Sequence, residues 1–226
     1  MKRFPLLVFD WDGTLVDSID RIVNSLQHAS RTAIGADISD SHAKSVIGLG
    51  LAEAVASLHP ELDQDEHKVE LERIADAYRQ HYLYENDIEA PLFDGVEDML
   101  ETLRSEGYTL AIATGKSRIG LDHTMQEHGV EAIFSITRTP TETRSKPHPL
   151  MLEEIMKHTG FGPEHTLMIG DSEHDLKMAV NATVAGIAVT HGVHDRRTLE
   201  RLSPLACFDH VTELHPYLGD TKSNAG

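Results

Sequence analysis

The chain has 226 residues, of which 40% are hydrophobic and 25% charged, and its formal net charge at pH 7 is −17. This composition is typical of a folded globular protein, and the length suits one large domain or two of unequal size. An acidic surface repels nucleic acid and anionic membranes, so we expect neither as a partner. The single cysteine, Cys207, excludes an internal disulfide and indicates a reducing compartment.

The first apolar run, "RFPLLVF", predicts a buried strand. It is too short for a signal peptide or a membrane span, so we expect a soluble cytoplasmic protein. The strand runs directly into "DWDGTLVDS". Alternate residues of an extended chain face the same side, which predicts that Asp10 and Asp12 do so. Gly13 permits a sharp turn out of the strand, and Thr14 adds a hydroxyl and an amide.

Residues 17–90 have the apolar spacing of helices and contain no convincing strand. A clear helical stripe is formed by Leu71, Ile74, Ala75, Tyr78 and Tyr82. "ADISDSHAKSVIGLGLAEAVASLHP" predicts two shorter helices joined at "GLG", and Asp17 or Ser18 is expected to cap the first helix of the segment. We predict that residues 17–90, called the helical insert below, interrupt a core domain formed by residues 1–16 and 91–226.

Strands and helices alternate from Tyr108 onward. The predicted strands are "YTLAIAT", "AIFSIT", "TLMIGD", "VAGIAVT" and a weaker one in "CFDHV". Ser117 and Gly129 are expected to begin and end one intervening helix, and Pro149 and Gly160 another. This alternation predicts an α/β fold, a Rossmann-like parallel sheet with helices on both faces.

Polar clusters occur where the predicted strands end, the edge at which open parallel sheets bind ligands. They are "DWDGT", "ATGKS", "GDSEHD" and, several residues after its strand, "RSKPHP". Four converging carboxylates, Asp10, Asp12, Asp171 and Asp175, would repel one another without a cation. Magnesium suits them because it prefers oxygen ligands and leaves room for water and phosphate. With Mg²⁺ bound, Asp10 is able to act as a nucleophile on a phosphoryl group.

The remaining groups at these strand ends are suited to binding a phosphoryl group. Lys146 supplies a positive charge, and Thr114, Gly115 and the neighbouring amides supply hydrogen bonds. We therefore expect a small phosphorylated metabolite as the partner of this site. The sequence leaves the oligomeric state open.

The motifs "DWDGTLVDS", "ATGKS", "SKPHP" and "GDSEHD" follow one another in the order of the haloacid dehalogenase-like hydrolase superfamily. The chain resembles that superfamily from Phe4 to about Leu218, and the helical insert resembles the helical cap of its phosphoglycolate phosphatase-like branch. Two residues depart from the pattern. Trp11 stands where a smaller aliphatic residue is usual, and Gly115 where relatives often have Asn; both are expected to shape the pocket.

The resemblance implies a role for each matching residue. Asp10 would become an aspartyl phosphate, and Asp12 would act as general acid and then as general base. Asp10, the backbone carbonyl of Asp12 and Asp171 would hold Mg²⁺, with Asp175 in support. The phosphoryl oxygens would be bound by Gly13, Thr14, Thr114, Gly115 and Lys146.

The function expected from the resemblance is Mg²⁺-dependent hydrolysis of a small phosphomonoester, phosphoglycolate included. A dehalogenase has no need of a second acid at Asp12, but a sugar-phosphate mutase and a pyrophosphatase share these motifs and stay open. A non-enzymatic phosphate-binding module is a remote alternative, since it could dispense with Asp12 or Lys146. Selection of the leaving group is expected from Lys116 and from the insert's "GLGL", with Gly48, Leu49 and Leu51.

Overall fold

The structure is a computed structural model that describes residues 2–62 and 65–223; residues 63 and 64 of the predicted insert and 224–226 of the predicted core lie outside it. In the described part of the chain, six strands form one parallel sheet in the order β3-β2-β1-β4-β5-β6. The strands are β1 (Leu6–Phe9), β2 (Thr109–Ala113), β3 (Ile136–Arg138), β4 (Thr166–Gly170), β5 (Ala185–Val189) and β6 (Ala206–Phe208). The predicted α/β class with a parallel sheet is confirmed.

The described helices include ten α-helices. They are α1 (Ile19–Ile34), α2 (Asp40–Ser45), α3 (Leu51–Leu58), α4 (Lys68–Gln80), α5 (Val96–Ser105), α6 (Arg118–His128), α7 (Leu150–Thr159), α8 (Glu173–Asn181), α9 (Arg196–Glu200) and α10 (Leu214–Ser223). A π-helical turn, His81–Glu85, continues α4. None of the described helices is both long and apolar enough to cross a membrane.

Alternation along β1 places apolar side chains on both faces of the sheet. Leu7 and Phe9 join an apolar cluster with α5, α6 and α10, whereas Leu6 and Val8 join a second cluster with α7 and α8. All four residues are fully buried. A strand covered on both faces is apolar at every position, which explains why "LLVF" shows no polar alternation.

The register of the sheet brings three polar segments to one edge. Phe9 is paired with Ile112 on β2 and with Ile169 on β4. The amide of Asp10 continues this ladder, donating to the Ile169 carbonyl at 2.9 Å. The residues that follow β1, β2 and β4 therefore emerge beside one another, at the edge where ligands bind in such sheets.

The described residues of the helical insert, 17–62 and 65–90, form helices and loops without a strand. They have their own apolar clusters, in which α1 packs against α4. The two connections to the sheet run side by side, because the Asp17 amide donates to the Pro91 carbonyl at 2.8 Å and the Phe93 amide to the Leu15 carbonyl at 3.0 Å. The division into two domains at these connections stays a prediction.

Most predicted helix ends are confirmed. Ser117 caps α6 by accepting from the Gly120 amide, and Gly129 and Gly160 end α6 and α7 in the left-handed conformation. Pro149 stands at the N-cap of α7, one residue earlier than predicted. The strand predicted over "AIFSIT" is shorter, because Glu131–Ile133 forms a 3-10 turn before β3 begins.

Candidate active site

Three buried carboxylates converge at the edge of the sheet. One oxygen from each of Asp10, Asp171 and Asp175 lies within 4.8 Å of the others. Asp10 follows β1, Asp171 follows β4, and Asp175 is in the first turn of α8, one helical turn after Asp171. The Lys146 ammonium lies between two of them, 2.7 Å from Asp10 and 2.6 Å from Asp175. One ammonium thus faces three acids in a solvent-excluded site.

The excess of acid changes the proton affinity of the cluster. Burial, followed by the charge of Asp175, raises the pKa of Asp10 well above its ordinary value. The same two causes raise the pKa of Asp171 to about 7. Burial alone would lower the pKa of Lys146, but Asp10 and Asp175 outweigh it and raise that pKa. The negative charge of the three carboxylates exceeds the positive charge of the groups around them. Oxygen ligands of this kind fit a hard divalent cation, and they are able to hold a metal ion.

Asp171 is held by groups from two loops. Its carboxylate accepts from the Thr14 hydroxyl at 2.7 Å and from the Val193 amide at 2.8 Å. A Cβ atom at Gly13 or at Gly192 would lie closer than 3.0 Å to the Asp171 carboxylate, so both backbones pack directly on it. Gly13 also has a φ of +78°, which an L side chain rarely adopts.

Asp175 has a structural role in addition to its contact with Lys146. Its carboxylate accepts from both the amide and the hydroxyl of Ser172, and its own amide donates to that hydroxyl. These reciprocal bonds form a capping box at the start of α8. The helix end therefore fixes the position of a carboxylate in the metal-compatible cluster.

The side chain of Asp12 does not join that cluster. Its carboxylate accepts from Lys116 at 3.0 and 3.2 Å and from the Ser18 hydroxyl at 2.7 Å. A contact between Asp12 and a metal would therefore involve its backbone carbonyl, as the resemblance implies. Ser18, one of the two residues expected to cap the first helix of the insert, stands at the N-cap of α1. Its hydroxyl makes no capping bond and donates to Asp12 instead.

Lys116 joins Asp12 to the helical insert. Its ammonium donates to the Tyr82 hydroxyl at 3.0 Å and lies 4.1 Å from the centre of the Tyr82 ring. Burial would lower the pKa of Lys116, but Asp12 and then Tyr82 raise it above its ordinary value, so the ammonium stays charged. Sequence reasoning missed Tyr82, because its place in the helical stripe predicts a core residue. The structure buries it and also brings its hydroxyl to Lys116.

Thr114 and Gly115 lie at the end of β2, where they were predicted. Thr114 is buried, and its hydroxyl accepts from the Lys116 amide at 3.2 Å. A Cβ atom at Gly115 would lie closer than 3.0 Å to the carbonyl oxygens of Gly48 and Leu49. The absence of a side chain at Gly115 thus lets the insert approach the sheet closely.

The insert loop that contains "GLGL" lies over the strand ends. The Gly50 amide donates to the Ser145 hydroxyl at 2.7 Å, and a Cβ atom at Gly48 would meet the Ser172 side chain at 2.9 Å. Leu49 and Leu51 line a cavity of about 70 Å³ that also contains Asp10 and Asp12 in its wall. The predicted selecting residues Gly48, Leu49, Leu51 and Lys116 all line this cavity.

The model of one family, the haloacid dehalogenase-like hydrolases, matches residues 7–189. The chain belongs to that family. Curated relatives of this hydrolase include "Probable phosphatase IndB" from Dickeya dadantii, which is 33% identical over 93% of this chain and 91% of its own length. A phosphoglycolate phosphatase from Colwellia psychrerythraea is 28% identical over 95% of this chain and 96% of its own. Family and relatives together make the chain a phosphatase.

Solved structures agree with this assignment. A haloacid dehalogenase-like hydrolase from Bacteroides fragilis superposes with a TM-score of 0.84 at 25% identity, covering 93% of this chain and 99% of the other. A structure described as a predicted phosphoglycolate phosphatase from Haemophilus somnus gives a TM-score of 0.82 at 26% identity, over 96% and 99% of the two chains. The expected resemblance to the phosphoglycolate phosphatase-like branch is confirmed.

Two features of the hydrolase differ from what its sequence predicts. Trp11 does not shape the pocket: its ring packs against Phe134 and His128 inside the apolar core. The loop after β5 was not singled out, although it supplies the Val193 amide to Asp171. The signal was present in "VTHGVHD", a polar segment with a glycine directly after a predicted strand.

Proposed function

We propose that the protein is a Mg²⁺-dependent phosphatase that hydrolyses a small phosphomonoester through an aspartyl phosphate on Asp10. The observation that carries this proposal is the buried set of Asp10, Asp171 and Asp175 with Lys146 in contact with Asp10. Asp10 and Asp171, with the Asp12 backbone carbonyl, would hold the ion, and Asp175 would support it. Bound there, Mg²⁺ would offset the negative charge of the carboxylates and of the phosphoryl oxygens.

The proposed chemistry assigns different tasks to the two leading aspartates. A carboxylate oxygen of Asp10 attacks phosphorus, and the bond from phosphorus to the ester oxygen breaks. Asp12 gives its proton to the departing oxygen, which leaves as an alcohol. Asp12 then takes a proton from the water that attacks phosphorus, which releases phosphate and restores Asp10. The bonds from Lys116 and Ser18 would hold Asp12 in place for both transfers.

The phosphoryl oxygens would be bound by Lys146 and by donors at the ends of β1 and β2. Thr114 would supply a hydroxyl group and Gly115 an amide. The Thr14 hydroxyl donates to Asp171 and the Gly13 amide to the Val16 carbonyl in this structure, so both would have to exchange these partners to bind phosphate. The proposed nucleophile is itself buried, since Asp10 is 2% exposed. Donors fixed in advance around a buried nucleophile stabilise the charge that develops on a phosphoryl group in transfer.

The helical insert would act as a cap over this site. Its loop at Gly48–Leu51 lies against Gly115, Ser145 and Ser172, and it joins the sheet through two adjacent connections. Movement about those connections would exclude water during transfer and admit it for hydrolysis.

A second candidate, pyrophosphate hydrolysis, is favoured by one finding. A relative from Oceanobacillus iheyensis named pyrophosphatase PpaX is 28% identical over 95% of this chain and 97% of its own. The same Asp10 chemistry would serve it, with phosphate as the leaving group.

The test is a steady-state assay with p-nitrophenyl phosphate, phosphoglycolate and pyrophosphate, with Mg²⁺ and with excess chelator. Turnover of at least one substrate that chelation abolishes and Mg²⁺ restores is expected. Full activity in excess chelator would show the metal assignment to be wrong. Preference for pyrophosphate over both esters would favour the second candidate.

A further inference from the structure

The cavity between the sheet edge and the insert is polar at the sheet edge but mostly apolar on the insert side, which is unusual for a site that receives an anion. Asp10 and Asp12 lie at one end, with Thr114 and Gly115. The insert side is apolar, and it is lined by Ile22, Leu26, Val46, Leu49, Leu51 and Leu83. The phosphoryl group belongs at the polar end, because the nucleophile is there. The leaving group must therefore project toward the insert.

The charged groups among the described lining residues already have partners of opposite charge. Asp10 is paired with Lys146, and Asp12 with Lys116. Arg79 is bonded to Asp76 at 2.5 Å, and its side chain is 46% exposed. Among the described lining residues, each cation therefore lies beside a carboxylate, which weakens its attraction for a second anionic group on the substrate.

Aromatic surface adds to the apolar character of the insert side. Tyr78 and Tyr82 both line the cavity, and their rings stack with centres 5.6 Å apart. The Tyr82 hydroxyl oxygen accepts a hydrogen bond from Lys116. An anion placed here would lose its water without gaining an ion pair, and burial of an unpaired charge is strongly unfavourable.

We propose that the leaving group of the substrate is a neutral and largely apolar alcohol, not a carboxylate-bearing or phosphorylated one. The inference rests on the proposed phosphatase function and specifies its substrate class. It distinguishes this hydrolase from relatives named for phosphoglycolate and for pyrophosphate, since both of those substrates carry a second anionic group into the cavity. The alcohol would contact the leucines and the tyrosine rings, and burial of its apolar surface would contribute to binding.

The test compares kcat/KM for propyl phosphate, benzyl phosphate, phosphoglycolate and pyrophosphate with the Mg²⁺-loaded enzyme. Propyl phosphate and phosphoglycolate are similar in size and differ mainly in the carboxylate. We expect the two neutral esters to be preferred by at least about 10-fold. Preference for phosphoglycolate would overturn the inference and leave the phosphatase proposal intact, whereas preference for pyrophosphate would overturn the inference and favour the second candidate. The absence of turnover with these four substrates and with p-nitrophenyl phosphate would overturn both proposals.

A variant that adds a positive charge to the cavity wall provides a second test of the inference. Leu51→Lys adds a cation to the cavity, and Val69→Lys adds the same charge on α4 at a side chain that is 67% exposed and outside the cavity. Leu51→Lys is expected to raise the ratio of kcat/KM for phosphoglycolate to that for propyl phosphate by about 10-fold. Val69→Lys should leave the ratio unchanged. An equal change in both variants, or no change in Leu51→Lys, would contradict the inference.

Discussion

The two sides of the cavity are built on opposite principles. At the sheet edge, charged groups are buried and are held by hydrogen bonds, as the Asp171 carboxylate is by the Thr14 hydroxyl and the Val193 amide. On the insert side, the wall is made of aliphatic and aromatic side chains that belong to the insert's own apolar cluster. Directional bonds fix the position of a reacting group, whereas apolar surfaces select by shape and by exclusion of charge. We infer that chemistry is specified at the sheet edge and substrate choice at the insert.

Two kinds of contact between the sides bear directly on the proposed chemistry. One is the close approach of the Gly48–Leu51 loop to the strand ends, and the other is the chain from Asp12 through Lys116 to Tyr82. Changes at the sheet edge should therefore affect every substrate, and changes at the contacts should affect closure or orientation. Four predictions test that separation.

The largest effect is expected for Asp10→Asn. The amide is a poor nucleophile, so kcat should fall by at least about 10³ on every substrate, and no acid-stable phosphoenzyme should be trapped after quenching. Asp37→Asn, at a side chain that is 80% exposed on the insert, is the matched control and should retain activity. Near-native turnover by Asp10→Asn would exclude the covalent mechanism.

Gly115→Ala should break the contact between the two sides. Its methyl group would collide with the carbonyls of Gly48 and Leu49, so the insert loop must move away from the strand ends. We expect kcat to fall by about 10²-fold, the cost of misplacing a catalytic arrangement by about 1 Å. Gly219→Ala is the control for the general effect of replacing a glycine by alanine, because an added Cβ atom at Gly219 meets nothing within 4 Å. An unchanged kcat in Gly115→Ala would mean that closure of this loop does not limit turnover.

Tyr82→Phe tests the second contact with a smaller perturbation. The ring and its interaction with Lys116 remain, but the hydroxyl that accepts from the ammonium is lost. Loss of one hydrogen bond of about 1 kcal/mol corresponds to about a 5-fold fall in kcat, with KM for a neutral ester nearly unchanged. A rise in KM without a change in kcat would instead make Tyr82 a contact of the leaving group.

The smallest effect is on stability and depends on pH. Burial and Asp175 raise the pKa of Asp171 from 3.8 to about 7, so its proton stabilises the metal-free fold at low pH, and this contribution is lost as pH rises through about 7. A metal ion competes with that proton. Mg²⁺ should therefore raise Tm more at pH 8 than at pH 6, by about 3 °C.

The increment caused by Mg²⁺ is the proper readout, because other groups titrate over the same range. Burial lowers the pKa values of His174 and His194, which affects the stability with and without metal. Scanning calorimetry at matched ionic strength, with K⁺ replacing Mg²⁺ in the reference, isolates the increment. An equal or larger increment at pH 6 would show that the carboxylates do not release protons on binding.

The sheet and its helices were predictable because their signals are local. Continuous apolar runs such as "TLMIG" identify buried parallel strands, and Ser117 and Gly129 mark helix ends through bonds to their own neighbours. The shortened β3 shows the limit of such signals. Ile133 is apolar in the sequence, but it lies in the 3-10 turn before the strand. Periodicity over so few residues does not distinguish a turn from a strand.

The candidate site was predictable where its residues follow strands. Asp10, Thr114 and Asp171 come together because parallel strands in register deliver their carboxyl ends to one edge, and that rule applies to the sequence directly. Ser18 and Tyr82 were assigned ordinary roles as a helix cap and a core residue. Their contacts with Asp12 and Lys116 depend on how the insert packs over the sheet, which no local pattern encodes.

The sequence by itself determined the family, the α/β class and the acids available for chemistry, because motif order, apolar periodicity and residue type are properties of the chain. Only the tertiary structure decided how those acids are divided. Asp171 and Asp175 join Asp10 around Lys146, while the Asp12 carboxylate turns to Lys116 and the insert. Residues two apart on a strand end are equally able to face one site. The partner that each carboxylate meets depends on distant segments, whose positions are set by packing of the whole chain.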